Sequence, residues 1–203
     1  HWCGIFCRRK CQINGSPGKT HQAMKSYDCI FLDRDGTLNP DPGYINSIDV
    51  FSFFDFTISA LKKMSDEGNR FCIVTNQSGV GRGLIDQAAL DEIHGFIRVE
   101  FEKNDICLLD IYYCTDHPEE ASERRKPGPG MFLEAEMDHD LNLVDCLMIG
   151  DSVADIEAGE MLGMDTMLVL TGRGKETLDY LPEYEQPTYL FEDLAKGAEK
   201  LCP

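Results

Sequence analysis

The strongest constraint on this sequence is a set of short apolar runs, each ending in a polar loop. They fall at residues 28–32, 71–74, 111–114, 146–149 and 167–170. Each has the length of a strand and reads as one buried within a sheet. Helical spacing separates them. Ile58, Leu61 and Met64 recur on one face, and Gly68 follows as a stop. Leu90, Ile93, Phe96, Ile97 and Phe101 mark a longer amphipathic helix that starts near Asp86. Further helical segments are expected at 130–138, 153–162 and 192–201. Strands alternating with helices predict an α/β fold: a Rossmann-like, mostly parallel sheet with helices on both faces and minimal or no cap domain.

The 203 residues, 42% of them hydrophobic, suffice for one well-packed domain. We expect that domain over residues 27–203. Residues 1–26 are polar and basic, with breakers at Asn14, Gly15, Pro17 and Gly18, and read as a flexible N-terminal extension. Gly15-Ser16-Pro17-Gly18-Lys19-Thr20 has only two residues between its glycines. A phosphate-cradling loop of that type needs four, after a strand, so we reject that reading.

The formal net charge of −17 argues against nucleic acid and anionic membranes as partners. No apolar run reaches the roughly 20 residues of a membrane span. Cys29, Cys72 and Cys146 lie inside apolar runs, and the cysteine count of nine is odd, so a reducing, cytoplasmic setting is expected rather than a disulfide framework. Cys3, Cys7 and Cys11 have no matched His or Cys cluster that would complete a metal site. The chain is expected to be a monomer.

Ligands of open parallel sheets bind outside the carboxyl ends of the strands, so reactive residues belong just after the apolar runs. The first run ends in Asp33-Arg34-Asp35-Gly36-Thr37-Leu38-Asn39. Two carboxylates at a buried strand end require a cation or a proton. Magnesium suits Asp33, because a hard cation prefers oxygen ligands. A nearby second acid can keep a proton and act as general acid. The second run ends in Thr75-Asn76-Gln77-Ser78-Gly79, whose hydroxyls and amides can hold phosphoryl oxygens. Lys126 sits in a loop fixed by Pro127, Gly128, Pro129 and Gly130. Asp151 follows another strand and can complete a magnesium site, with Asp155 one helical turn on. Each loop alone also reads as an ordinary turn or helix cap. Their coincidence at successive strand ends, in the order acid–acid, hydroxyl, lysine, acid, does not.

In these motifs, over residues 28–170, the sequence resembles the haloacid dehalogenase-like phosphatases. Phe31 to Asn39, Asp41-Pro42-Gly43-Tyr44, Thr75 to Gly79 with Arg82-Gly83, Arg125 to Met131, and Thr171-Gly172 look like one branch, the heptose-1,7-bisphosphate phosphatases. The histidinol-phosphatases are near relatives. The resemblance implies that Asp33 is the nucleophile and Asp35 the general acid and base. It implies magnesium on the Asp33 carboxylate, the Asp35 carbonyl and Asp151, and a small phosphorylated metabolite as substrate. It gives Thr75 and Lys126 the phosphoryl oxygens. Asp41, Gly43, Tyr44, Asn76, Gln77, Ser78 and Arg125 are implied as substrate-binding residues.

One departure is informative. The branch often carries a zinc loop, Cys-x-His and later Cys-x-Cys before Arg-Lys. Here those places read Cys114-Thr115-Asp116 and Ser122-Glu123-Arg124, with His117 one position late. Structural zinc wants four ligands, so no zinc is expected. Of the competing readings, histidinol phosphate is disfavoured by Gly43-Tyr44 and by Gly81-Arg82-Gly83. A polynucleotide 3′-phosphatase is disfavoured by the acidic charge. A catalytically idle ligand-binding relative would have lost one of Asp33, Asp35 and Asp151, and all three are present.

Overall fold

The computed structural model describes residues 26–182 and 186–202. The expected extension and its three cysteines fall almost wholly outside the described residues. The sheet has six parallel strands in the order β3-β2-β1-β4-β5-β6. They are β1 (Ile30–Leu32), β2 (Phe71–Asn76), β3 (Leu108–Cys114), β4 (Leu147–Gly150), β5 (Asp165–Val169) and β6 (Tyr189–Phe191). The helices are α1 (Thr57–Asp66), α2 (Ser78–Gly81), α3 (Gln87–Lys103), α4 (Gly130–His139), α5 (Val153–Met161), α6 (Gly174–Tyr180) and α7 (Leu194–Leu201).

The apolar runs are continuous because both faces of the sheet are covered. Side chains alternate across a strand, so each run feeds two cores. Ile30, Leu32, Phe71, Ile73, Leu147 and Ile149 face α1, α3 and α7, which contribute Leu61, Met64, Ile97, Phe101, Leu194 and Leu201. Cys29, Phe31, Cys72, Val74, Cys146 and Met148 face the opposite way, onto Met131, Phe132, Ala135 and Ala158 of α4 and α5. Phe31 meets Phe132 edge to face, with ring centroids 5.0 Å apart, a preferred aromatic geometry. The four cysteines of this face, Cys29, Cys72, Cys114 and Cys146, are free and behave as small hydrophobes.

The strand order reverses at β1, which pairs with β2 on one side and β4 on the other, the chain crossing back from the edge strand β3 to β4. That switch point gathers the loops after β1, β2, β3 and β4 at one edge of the sheet. The β1-to-α1 connection folds down onto the core through Ile45 and Phe51 rather than forming a cap domain among the described residues.

Candidate active site

Asp33 is the first residue after β1, and its backbone N–H is held by the Ile149 carbonyl of β4 at 2.9 Å. Lys126 reaches it from the loop after β3. The Lys126 ammonium donates to Asp33 Oδ1 at 2.7 Å, to Asp155 Oδ1 at 2.6 Å and to the Val74 carbonyl at 2.7 Å. Its three donors are therefore all engaged. Burial opposes the Lys126 charge, but Asp155 and Asp33 outweigh it and raise its pKa. The loop is fixed by Asn76, whose side-chain oxygen accepts from Lys126 N–H and whose amide donates to the Lys126 carbonyl, both at 3.0 Å.

Asp151 follows β4. Its Oδ2 accepts from Arg173 N–H at 2.7 Å, and its own carbonyl accepts from Thr177 Oγ1 at 2.8 Å. Two glycines make room for it. Gly36, at φ +89°, and Gly172, at φ +51°, would each drive a Cβ into the Asp151 carboxylate. Only glycine accepts those backbone angles easily and leaves that space. Thr171 joins the two loops by donating to the Gly36 carbonyl at 2.6 Å.

Asp33, Asp151 and Asp155 bring carboxylate oxygens within 4.8 Å of one another. Lys126 balances only part of that charge. The Asp33 pKa is raised, first by burial and then by Asp155 and Asp151, against the pull of Lys126. Burial, then Asp155, pushes Asp151 up to about 7. Asp155 has a second duty. Its Oδ2 accepts from Ser152 N–H at 3.0 Å and from Ser152 Oγ at 2.7 Å, capping α5. Excess buried carboxylate with oxygen donors on three sides is the donor set of a hard divalent cation.

Asp35 stands apart from this group. Its carboxylate accepts a fork from Arg34, Nε at 3.0 Å and Nη2 at 2.7 Å. Asn39 donates to it at 2.9 Å and Gln77 at 2.8 Å. Burial would raise its pKa, but Arg34 and these hydrogen bonds win and lower it. The spacing of acids at a buried strand end suggested an acid that keeps its proton. In the structure, Arg34 instead favours the charged form of that acid.

These residues open onto a cleft of about 810 Å³. Every candidate substrate residue lines it: Asp41, Gly43, Tyr44, Thr75, Asn76, Gln77, Ser78 and Arg125, together with Asp33, Asp35, Lys126 and Asp151. Gln77 also bridges within the wall, donating to Thr75 Oγ1 at 2.9 Å as well as to Asp35. The far wall carries Arg173, Glu176, Thr177 and Tyr180, which motif reading missed. Their one sequence signal is proximity to Thr171-Gly172.

The zinc-loop positions are otherwise engaged. Asp116 Oδ2 accepts from Ser122 N–H at 2.9 Å and from Ser122 Oγ at 2.5 Å. The Cys114 thiol hydrogen-bonds Asp116, and burial raises its pKa. Arg124 donates to the Tyr113 carbonyl at 3.1 Å and pairs with Glu134.

The HAD-hydrolase-like family model matches residues 123–197. The D-glycero-beta-D-manno-heptose-1,7-bisphosphate 7-phosphatase of Escherichia coli O6:H1 is 38% identical over 157 residues, spanning 73% of this chain and 83% of its own. The enzyme of the same name from Salmonella typhi is 36% identical over 157 residues, 73% of this chain and 84% of its own. A crystal structure of D,D-heptose 1,7-bisphosphate phosphatase from B. bronchiseptica, complexed with magnesium and phosphate, superposes with a TM-score of 0.78. It is 34% identical and covers 85% of this chain and 97% of its own. The chain belongs to the haloacid dehalogenase-like hydrolases. Within that family it is a phosphatase, with the six-stranded fold and strand-end site just described.

Proposed function

We propose that this phosphatase removes the 7-phosphate of D-glycero-D-manno-heptose 1,7-bisphosphate, or of a similar sugar phosphate, through an aspartyl-phosphate on Asp33. The observation that carries the reading is the cluster of Asp33, Lys126, Asp155 and Asp151 at the carboxyl ends of the strands, opening onto the cleft. The names of the relatives support the choice of sugar. The family fold without a separate cap over the described cleft suits a small, soluble metabolite.

An Asp33 carboxylate oxygen attacks phosphorus, and the bond from phosphorus to the sugar oxygen breaks. Asp35 gives its proton to the departing alkoxide. Water then attacks the aspartyl-phosphate, and Asp35 takes the water's proton as phosphate leaves. Arg34 lowers the Asp35 pKa, so Asp35 takes its proton from solvent as substrate binds. A phosphoryl dianion set beside a carboxylate raises that carboxylate's affinity for a proton. Thr75 holds a phosphoryl oxygen as charge moves, and Lys126 holds another by giving up one of its three contacts. Magnesium, held by the carboxylates of Asp33 and Asp151 and the carbonyl of Asp35, neutralises phosphoryl charge when bound. Asp41, Gly43, Tyr44, Asn76, Gln77, Ser78 and Arg125 shape the substrate side. No zinc is required, because hydrogen bonds from Cys114 and Ser122 to Asp116 tie the loop that a metal would otherwise hold.

Phosphate release from a panel of phosphomonoesters, with and without magnesium, tests this reading. The panel includes both anomers of the heptose bisphosphate and histidinol phosphate. Magnesium-dependent preference for one heptose anomer is the expected result. Preference for histidinol phosphate, or weak activity on all members, removes the heptose assignment.

A further inference from the structure

We propose that His94 is a positioning residue for catalysis: its imidazole, buried beneath the cleft on α3, orients the Arg34 guanidinium, which in turn orients Asp35. The inference rests on Asp35 acting as the acid and base. His94 Nε2 lies 3.4 Å from Arg34 Nη1. Arg34 is fully buried and turns its other edge, Nε and Nη2, to the two oxygens of Asp35. One planar side chain thus links a helix of the core to a carboxylate at the cleft. A guanidinium is rigid, so fixing Nη1 fixes the fork that faces Asp35.

The chemistry of His94 fits this role. Burial, and then Arg34 and Arg98, depress its pKa to about 3, so the ring is neutral. A neutral imidazole can present a lone pair on Nε2 to the Arg34 N–H, with its own proton on Nδ1. The ring also packs on Tyr113, centroids 5.2 Å apart, which limits its tilt. An apolar residue at position 94 would complete the Ile93–Ile97 core face equally well. It would leave a buried guanidinium N–H without that acceptor, at a cost of the kind that keeps buried polar groups paired. The residue type therefore answers to Arg34 and not to packing. His94 is not among the residues that line the cleft.

The test is steady-state kinetics of the full chain with magnesium on the best phosphomonoester of the panel, alongside thermal melting. His94→Leu should lower kcat about 10-fold, short of the 10²–10⁴-fold typical of losing the acid itself, with KM little changed. His94→Gln returns an acceptor oxygen and should recover most of kcat. Arg34→Lys loses the fork and should lower kcat with KM little changed. His94→Leu added to Arg34→Lys should then cost little more, because both act on one link. Full kcat in His94→Leu, equal losses in the Leu and Gln variants, or multiplicative losses in the double variant would each overturn the inference. If His94→Leu does not fold, His94→Met, which also removes the ring acceptor, takes its place in each comparison. Asp35→Asn is the control: if it keeps ordinary activity, the acid–base reading fails and this inference with it. If it is inactive while His94→Leu is normal, only this inference fails.

Discussion

Withdrawing magnesium should make the stability of this protein depend on pH in a specific window. Without a cation, Asp151 is pushed from an ordinary 3.8 up to about 7 by burial and by Asp155. A carboxyl whose folded-state pKa lies above its unfolded value stabilises the fold below the unfolded value. That stabilisation is lost as pH climbs through the folded value. For Asp151 the loss runs from about pH 4 to about pH 7. At about 1.4 kcal/mol per pH unit, it amounts to roughly 4 kcal/mol. Asp33 is shifted in the same direction. A bound cation takes the place of the proton, so its contribution should grow through the same window. Urea unfolding between pH 5 and pH 8, in chelator and in saturating magnesium, measures the difference. Circular dichroism is the probe. Starting at pH 5 also avoids the acid limb, where Asp35, whose pKa is lowered, would lose its own stabilising charge. The stabilisation by magnesium should rise by several kcal/mol from pH 5 to pH 8. The same stabilisation at both ends would refute the charge accounting of the site.

Asp33→Asn should abolish turnover while circular dichroism and melting show a folded chain; ordinary activity would refute its assignment as nucleophile. Lys126→Met removes the ammonium between two buried carboxylates and should cost about 3–5 kcal/mol in urea unfolding without magnesium. A loss under about 1 kcal/mol would mean that the Asp33 and Asp155 contacts contribute little. Cys114→Ser should leave metal content, by elemental analysis, and activity nearly unchanged; zinc release with a large loss would contradict the hydrogen-bonded loop.

The sheet and the acidic site were legible because buried parallel strands read as unbroken apolar runs, and chemistry sits where those runs stop. Asp33, Thr75, Lys126 and Asp151 could be found by that rule before any coordinates. Edge and periphery escaped it. β6 (Tyr189–Phe191) is three residues long and only partly buried, so its Tyr-Leu-Phe is too short a run to stand out. α6 (Gly174–Tyr180) buries only Gly174 and Thr177, so no periodic signal announced Arg173, Glu176 and Tyr180 on the cleft wall. β3 begins at Leu108, earlier than its fully buried part, because its first residues are only half-covered. Other pairings were invisible because they are long-range. Asp155 could be placed only one helical turn past Asp151, with no role; it completes the capping box of Ser152, and its contact with Lys126 spans 29 positions. His94, between the apolar Ile93 and Ile97, reads as one more core position, and only the fold brings it to Arg34.

The most direct test of the central claim is a single turnover with substrate labelled in the transferred phosphate, quenched in acid and digested. The account predicts label on the peptide that contains Asp33, discharged by hydroxylamine and absent from Asp33→Asn. Turnover with no labelled peptide at any quench time, or with label on another residue, would contradict it.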